Sequence, residues 1–175
     1  MPPVEYNFKP VDRITIGAIG PLGKRVFYLQ VRQGDQLATL IIEKEQILLL
    51  VNKLENFLAE LRQRLPDIAE AGSSYREEDM ALEQPIDPAF RVDLMGLGYD
   101  EESDLLVLVS RELEDTDEGL KEASVARFWC TRSQLLTACK WGLEVASRGR
   151  PICGNCGQPL DPESHFCPKS NGHKK

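Results

Sequence analysis

Apolar and polar residues alternate over much of this chain, and in two places the alternation changes to a helical spacing. In the first half, alternating segments predict strands over about 4–8, 13–18, 24–32 and 36–43. From Lys44 to Arg64 the apolar residues recur every three or four positions, which predicts an amphipathic helix. In the second half, strands are predicted over about 90–99, 104–110 and 123–131, and a second helix over 132–147.

The two passages from strand to helix resemble one another. Two passages lie 88 positions apart, and each is preceded by two strands: Ala38-Thr-Leu-Ile-Ile-Glu-Lys-Glu-Gln46-Ile-Leu and Ala126-Arg-Phe-Trp-Cys-Thr-Arg-Ser-Gln134-Leu-Leu. This similarity predicts two pseudo-repeated strand-strand-strand-helix units. Such units can join into an α+β fold with a mostly antiparallel sheet and both helices on one face. A chance similarity between two short junctions is the alternative.

A change of composition divides the chain. Residues 66–88 lack periodicity and contain an acidic run, so they predict a linker between halves at about 1–65 and 89–148. Residues 1–148 then form the α+β domain. Residues 149–175 form a separate, small tail that resembles a zinc ribbon.

The tail contains a pattern of metal-binding residues. Cys153 and Cys156 are separated by two residues and followed by Gly157, a spacing that lets two sulfur atoms face one tetrahedral ion. Cys167 begins a similar turn, in which Ser170 stands at the place of a fourth thiolate. A neutral hydroxyl is a poor ligand for zinc, so we expect another residue to complete a Zn²⁺ site.

Two histidines, the only ones in the chain, are candidates for this fourth position. His165 lies two residues before Cys167 and is preferred, whereas His173 lies near the terminus and is the alternative. Water or another group is a further alternative, and Ser170 facing the ion would leave an open site. A redox Cys-x-x-Cys is disfavoured because it would have to open a helix, and a disulfide because we expect a reducing compartment.

The charge and composition limit the classes of partner. The net charge is −7, yet the residues from Arg148 onward carry five basic and two acidic side chains. The rest of the chain is therefore strongly acidic, which disfavours nucleic acid as a partner. No apolar run is long enough for a membrane span, and the first residues lack the features of a signal peptide. We expect a cytoplasmic protein.

The sequence predicts no catalytic residues. Cys130 and Cys139 lie in apolar surroundings and are interpreted as small core residues rather than nucleophiles. Both histidines belong to the predicted metal segment, so no base is left to activate a nucleophile. The sequence therefore favours a protein that is not an enzyme. Catalysis by carboxylates stays open, because acidic residues are plentiful, although no pair of them stands out.

Several motifs together resemble a bacterial family known as domain of unknown function 3090. The residues that carry the resemblance are Arg25-Val-Phe-Tyr-Leu-Gln30, Gln84-Pro85, Phe90-Arg-Val92, and the ending Gly149-Arg-Pro151-x-Cys153-x-x-Cys156-Gly-x-Pro-Leu-Asp161-Pro-x-x-His165-x-Cys167-Pro-x-x-Asn171-Gly172. The resemblance spans nearly the whole chain. It supports the architecture and the metal site, it favours His165, and it implies no activity.

Two functional hypotheses follow. The first is a zinc-stabilised binding or adaptor protein that presents its tail to an unknown protein partner. The second is an enzyme or small-molecule-binding domain with a pocket between the two pseudo-repeats. Convergence of four polar side chains on one pocket would favour the second: Arg25, Tyr28, Gln30 and Arg91. The oligomeric state has no signature in the sequence.

Overall fold

The computed structural model of the chain describes residues 2–112, 123–149, 153–158 and 167–169. The strands in these ranges are β1 (Glu5–Phe8), β2 (Arg13–Ile19), β3 (Val26–Gln33), β4 (Gln36–Ile42), β5 (Phe90–Asp100), β6 (Leu105–Glu112) and β7 (Val125–Cys130). The helices are α1 (Lys44–Arg64) and α2 (Arg132–Ser147), and a short 3-10 helix covers Glu77–Met80. The predicted α+β class is confirmed, and each predicted strand and helix is present close to its predicted bounds.

The seven strands form one sheet in the order β1-β7-β6-β5-β4-β3-β2. Strands β2, β3 and β4 form one antiparallel meander, and β5, β6 and β7 form a second. The meanders join where β4 runs parallel to β5, and β1 runs parallel to β7. The mostly antiparallel sheet and the repeated strand-strand-strand-helix order are therefore confirmed.

Both helices begin with the same local structure. In each, a glutamine at the third helical position accepts a hydrogen bond from the N-cap backbone N–H, at 2.8 Å for Gln46 and 2.9 Å for Gln134. The amide nitrogens of these glutamines then donate to the backbone carbonyls of Val92, at 2.9 Å, and Val11, at 3.3 Å. Each glutamine thus fixes where its helix starts and ties that start to a neighbouring segment, which is β5 for Gln46 and the connection between β1 and β2 for Gln134.

The sheet is strongly curved, because its two outer strands are consecutive in the chain. A flat sheet of seven strands would place the outer strands roughly 29 Å apart. Only residues 9–12 connect β1 to β2, and such a connection spans at most about 18 Å. The Val11 N–H donates to the Trp129 carbonyl of β7, and the Asp12 N–H donates to the Arg32 carbonyl of β3, both at 2.8 Å. The connection therefore bridges the two meanders and nearly closes the sheet into a barrel.

Helices α1 and α2 pack against each other and against the sheet, with α2 lying on β2. Gly142 of α2 makes this close approach possible, since a Cβ there would lie 2.9 Å from Ile16 and 3.2 Å from Ile47. The core joins both helices to both meanders and includes Phe8, Ile16, Leu29, Leu40, Ile47, Leu54, Leu106, Phe128 and Leu135. Within the described ranges, no helix combines the length and hydrophobicity needed to cross a bilayer.

A connecting segment covers the outer face of the first meander. This segment, residues 79–83, is called the strap here. The Thr15 hydroxyl donates to the Met80 carbonyl at 2.7 Å. The Gln30 side chain donates to the Glu83 carbonyl at 3.0 Å and accepts from the Glu83 N–H at 2.7 Å. Buried side chains of the sheet therefore supply the partners that the strap backbone would otherwise find in water.

Candidate metal centre

The first part of the tail folds into a tight turn around Cys153. The Cys153 N–H donates to the Gln158 carbonyl at 2.8 Å, and the Gly157 N–H donates to the Cys153 carbonyl at 2.9 Å. Gly157 has a φ of 74°, a left-handed conformation that glycine adopts without the steric cost of a Cβ. Glycine at this position lets the chain turn back immediately after Cys156.

The turn and a distant segment bring three sulfur atoms together. Ligand atoms of Cys153, Cys156 and Cys167 all lie within 4.8 Å of one another, and the Sγ atoms of Cys153 and Cys167 are 3.9 Å apart. A disulfide needs about 2.05 Å, so this last pair is not bonded. A tetrahedral ion with metal–sulfur bonds of about 2.3 Å places sulfur atoms about 3.8 Å apart. The separation therefore fits a shared metal ion.

The close packing of the three cysteines changes the pKa of the Cys156 thiol. A hydrogen bond from the Gln158 backbone lowers the pKa of the Cys156 thiol. Desolvation and the neighbouring sulfurs of Cys153 and Cys167 outweigh it, so the pKa lies above its ordinary value. Thiolates packed together repel one another, and a cation between them would reverse that repulsion. The donor set thus suits a metal ion.

The other predicted ligands cannot be placed against this cluster. His165, the preferred fourth ligand, lies outside the described residues, and so do His173 and Ser170. The structure brings together the three predicted cysteines, and the choice of fourth ligand stays a prediction. Three cysteine sulfurs at these separations can bind a metal ion.

The two other cysteines occupy a different environment. Cys130 ends β7 and is 0% exposed, while Cys139 lies on the inner face of α2 and is 1% exposed. Burial raises the pKa of each thiol to about 12. Both side chains are part of the core, which confirms their interpretation as small buried residues.

Three of the four polar residues considered for a pocket have separate structural partners. Arg25 donates to the Val145 carbonyl near the end of α2 at 2.9 Å, and Gln30 binds the strap. Arg91 pairs with the N-cap residue of α1. Tyr28 lies half-buried on β3. None of the four lines the cavity that opens between the helices.

The residues that line this cavity were not predicted from the sequence. It has a volume of about 470 Å³ and lies between α1, α2 and residues 68–71. A partial signal exists in the sequence, since Arg132, Leu136 and Lys140 are spaced to lie along one stripe of α2. The sequence alone does not show that a stripe of α1 and the segment 68–71 pack beside these α2 residues, because that contact depends on how the two helices pack.

Comparison with known families decides the assignment that the motifs suggested. A family described as "Protein of unknown function (DUF3090)" matches residues 6–167. The chain belongs to this family. The DUF3090 match includes both meanders, both helices and all three clustered cysteines, and it ends at Cys167. Comparisons with curated proteins and with solved structures each gave no match.

Proposed function

We propose that this DUF3090 protein is a cytoplasmic binding or adaptor protein whose tail is held together by one structural zinc ion. The ligands are Cys153, Cys156, Cys167 and His165. The observation that supports this function is the cluster of three cysteine ligand atoms within 4.8 Å. Residues 1–148 form the body in this proposal, and residues 149–175 form the zinc-binding tail.

Zinc is favoured over other ions by the type of ligand. Three thiolates and one imidazole form a common structural zinc site, whereas magnesium and calcium prefer oxygen ligands. Four protein ligands leave no open position for water or substrate, which supports a structural role rather than a catalytic one. The distance of 3.9 Å between two of the sulfur atoms agrees with tetrahedral coordination.

His165 is the preferred fourth ligand because of its position in the chain. It lies two residues before Cys167, on a segment that must approach the metal, whereas His173 lies six residues after Cys167. The family match extends to residue 167 and therefore includes His165 and omits His173. Both arguments favour His165, and the variants described next distinguish the two.

The metal content of the purified chain tests the zinc site. We expect one zinc per chain from metal-replete expression, and incomplete loading in the variants Cys156→Ser and His165→Ala. Matched controls are Cys139→Ala and His173→Ala, which should keep the metal. Zinc-free protein would contradict the proposal, and loss of metal in His173→Ala alone would contradict the ligand choice. Elemental analysis together with protein quantification provides the measurement.

The metal makes a binding role possible because the tail is too small to fold by burying a core. Structural zinc contributes on the order of 10 kcal/mol to the folding of such small modules. A folded tail can present the segment Gln158-Pro-Leu160 or the basic residues Lys169, Lys174 and Lys175 to a protein with an acidic surface. Because the acidic body would repel such a partner, the contact would be confined to the tail.

The binding role has its own experiment. The zinc-loaded chain, immobilised on a support and incubated with native cytosol, should retain a protein. A variant with Lys169, Lys174 and Lys175 all replaced by Gln should not retain it. The retained protein, once purified, should bind the chain less tightly at high salt, because exposed charge pairs are screened. Equal retention by both baits would contradict the adaptor role while leaving the zinc site intact.

A further inference from the structure

The cavity between α1 and α2 has the size and shape of a ligand site. Its volume of about 470 Å³ lies within the range of roughly 300–1,000 Å³ that is usual for small-molecule pockets. At about 30 Å³ for each water molecule, the space holds roughly 16 waters, which corresponds to a ligand of similar heavy-atom count. The cavity lies between the helices of the two pseudo-repeats and is separate from the metal centre.

The walls of the cavity are mainly aliphatic. Leu58 of α1, Leu136 of α2 and Ile68 of the following segment all line it. All three side chains are half-buried, and Leu58 and Leu136 also pack against the core. Leu61 and three alanines complete the apolar lining: Ala59, Ala69 and Ala71. The apolar part of a ligand would therefore bury apolar side-chain surface that is only partly exposed to water, which favours binding.

One end of the cavity has two guanidinium groups. Arg62 pairs with Glu70, and Arg132 donates to the backbone carbonyl of Ala69. Because Ala69 and Glu70 are consecutive in the chain, the two guanidinium groups lie at the same end of the cavity. The Arg62–Glu70 pair is exposed, with 56% and 79% of the two side chains accessible, so it costs little to open. Arg62 can therefore turn toward a ligand.

Arg132 is held more firmly than Arg62. Its side chain is 12% exposed and pairs with Asp104 at 3.3 Å, while Asp104 accepts a further bond from Tyr99 at 2.7 Å. The hydrogen bond from Tyr99 and then that from Arg132 lower the pKa of Asp104. Among the described residues, the guanidinium makes three hydrogen bonds. Since it has five N–H donors, two are left for a ligand.

The opposite end of the cavity is charge-neutral. Lys140 pairs with Glu55 at 3.3 Å. Lys140 lies eight residues after Arg132 on α2, which places the two cations about 12 Å apart along the helix. The Arg62–Arg132 end also has one carboxylate partner for each cation. Asp104, the partner of Arg132, does not line the cavity, so the lining at this end carries two cations and one carboxylate, with aliphatic walls between the two ends.

From this arrangement we propose that the cavity binds a small amphipathic carboxylate. The carboxylate lies at Arg62 and Arg132, where the planar guanidinium groups match its geometry. An aliphatic body of about ten carbons extends along Leu58, Ile68 and Leu136. The ligand class follows from charge at one end, apolar walls and volume together. The inference does not depend on the proposed zinc site.

Decanoate is a direct probe of this site. Titration of the zinc-loaded full chain with decanoate, followed by methyl NMR, should give saturable shifts at Leu58, Ile68 and Leu136. With 12 heavy atoms, an affinity on the order of 0.1–1 mM is expected. Decylammonium has a similar alkyl tail with the opposite charge, and it should bind at least about ten-fold more weakly. Equal binding of both probes, or no saturable shift, would overturn the proposal.

Matched variants assign the carboxylate contact. Arg62→Met and Arg132→Met should each weaken decanoate binding about ten-fold, because each removes a charged hydrogen-bond donor. Arg64→Met is the control, since Arg64 is exposed on the same helix and does not line the cavity. If Arg132→Met fails to fold, Arg62→Met decides the question. Ala59→Trp should fill the space and abolish binding, and unchanged affinity in that variant would refute the location.

Discussion

Gln30 holds the strap on the sheet, and its replacement tests how the first meander is completed. The side chain is 1% exposed and makes three hydrogen bonds. Its amide nitrogen donates to the Thr39 hydroxyl at 3.1 Å and the Glu83 carbonyl at 3.0 Å, and its amide oxygen accepts from the Glu83 N–H at 2.7 Å. Gln30→Met keeps a similar unbranched shape and removes all three bonds.

The expected destabilisation follows from these bonds. A typical hydrogen bond contributes about 1 kcal/mol net, and a buried group left without its partner costs about 1–3 kcal/mol. Glu83 is half-buried, so its backbone groups regain some hydrogen bonds from water. We therefore expect a loss of about 2–4 kcal/mol. For a chain of this length that corresponds to a Tm roughly 5–12 °C lower.

Thermal and urea unfolding of three variants measure this loss. Thr15→Val removes the 2.7 Å bond to Met80 and a long 3.5 Å contact with the Ile16 carbonyl, so its effect should be smaller, at about 1–2 kcal/mol. Gln33→Met is the control on the same strand, because the bond from Gln33 to the Lys9 carbonyl is exposed, and it should cost under about 0.5 kcal/mol. If Gln30→Met were no more destabilising than Gln33→Met, the strap would not be held as described.

Three further predictions concern packing, thiol reactivity and pH. Gly17→Ala should destabilise by about 1–3 kcal/mol, because its Cβ would lie 2.5 Å from Leu82 Cγ, and adding Leu82→Ala should recover part of that loss in a double-mutant cycle. Since burial raises the pKa of the Cys130 and Cys139 thiols to about 12, iodoacetamide at pH 8 should modify neither until the chain unfolds, as counted by mass spectrometry. Hydrogen bonding, first by Lys9, lowers the pKa of Asp100 from 3.8 to about 2. The wild type should therefore have a higher Tm than Asp100→Asn above pH 3.8, and this difference should disappear as the pH falls to about 2.

Local patterns were enough to predict most of the secondary structure. Helix α1 has the bounds Lys44–Arg64 that its apolar spacing predicted, because that spacing sets which face packs against the sheet. The matching glutamines Gln46 and Gln134 were visible in the sequence, and both form the same cap. The cysteine cluster was also predictable, since a two-residue spacing and a following glycine determine the turn locally.

The long-range contacts were not predictable from one sequence. The parallel pairing of β4 with β5 and the closure through Val11 and Asp12 depend on which strand edges meet, and no local pattern records that. The cavity depends on the same kind of contact. Ala69 and Arg132 are 63 positions apart, and their hydrogen bond forms only because α1 and α2 pack together.

The cavity lies beside the first half of α2, and the zinc-binding tail follows the end of that helix, which bears on whether the two sites can influence each other. The cavity extends along α2 from Arg132 to Lys140, and the helix continues for about 10 Å from Lys140 to Ser147 before the tail begins. The last turn is anchored independently of the tail: Arg148 pairs with Glu77 at 2.6 Å and stacks on the Trp141 ring at 5.1 Å. Coupling between sites requires an element with two alternative arrangements. A helix anchored at both ends does not provide one, so metal removal should disorder the tail and leave decanoate affinity unchanged.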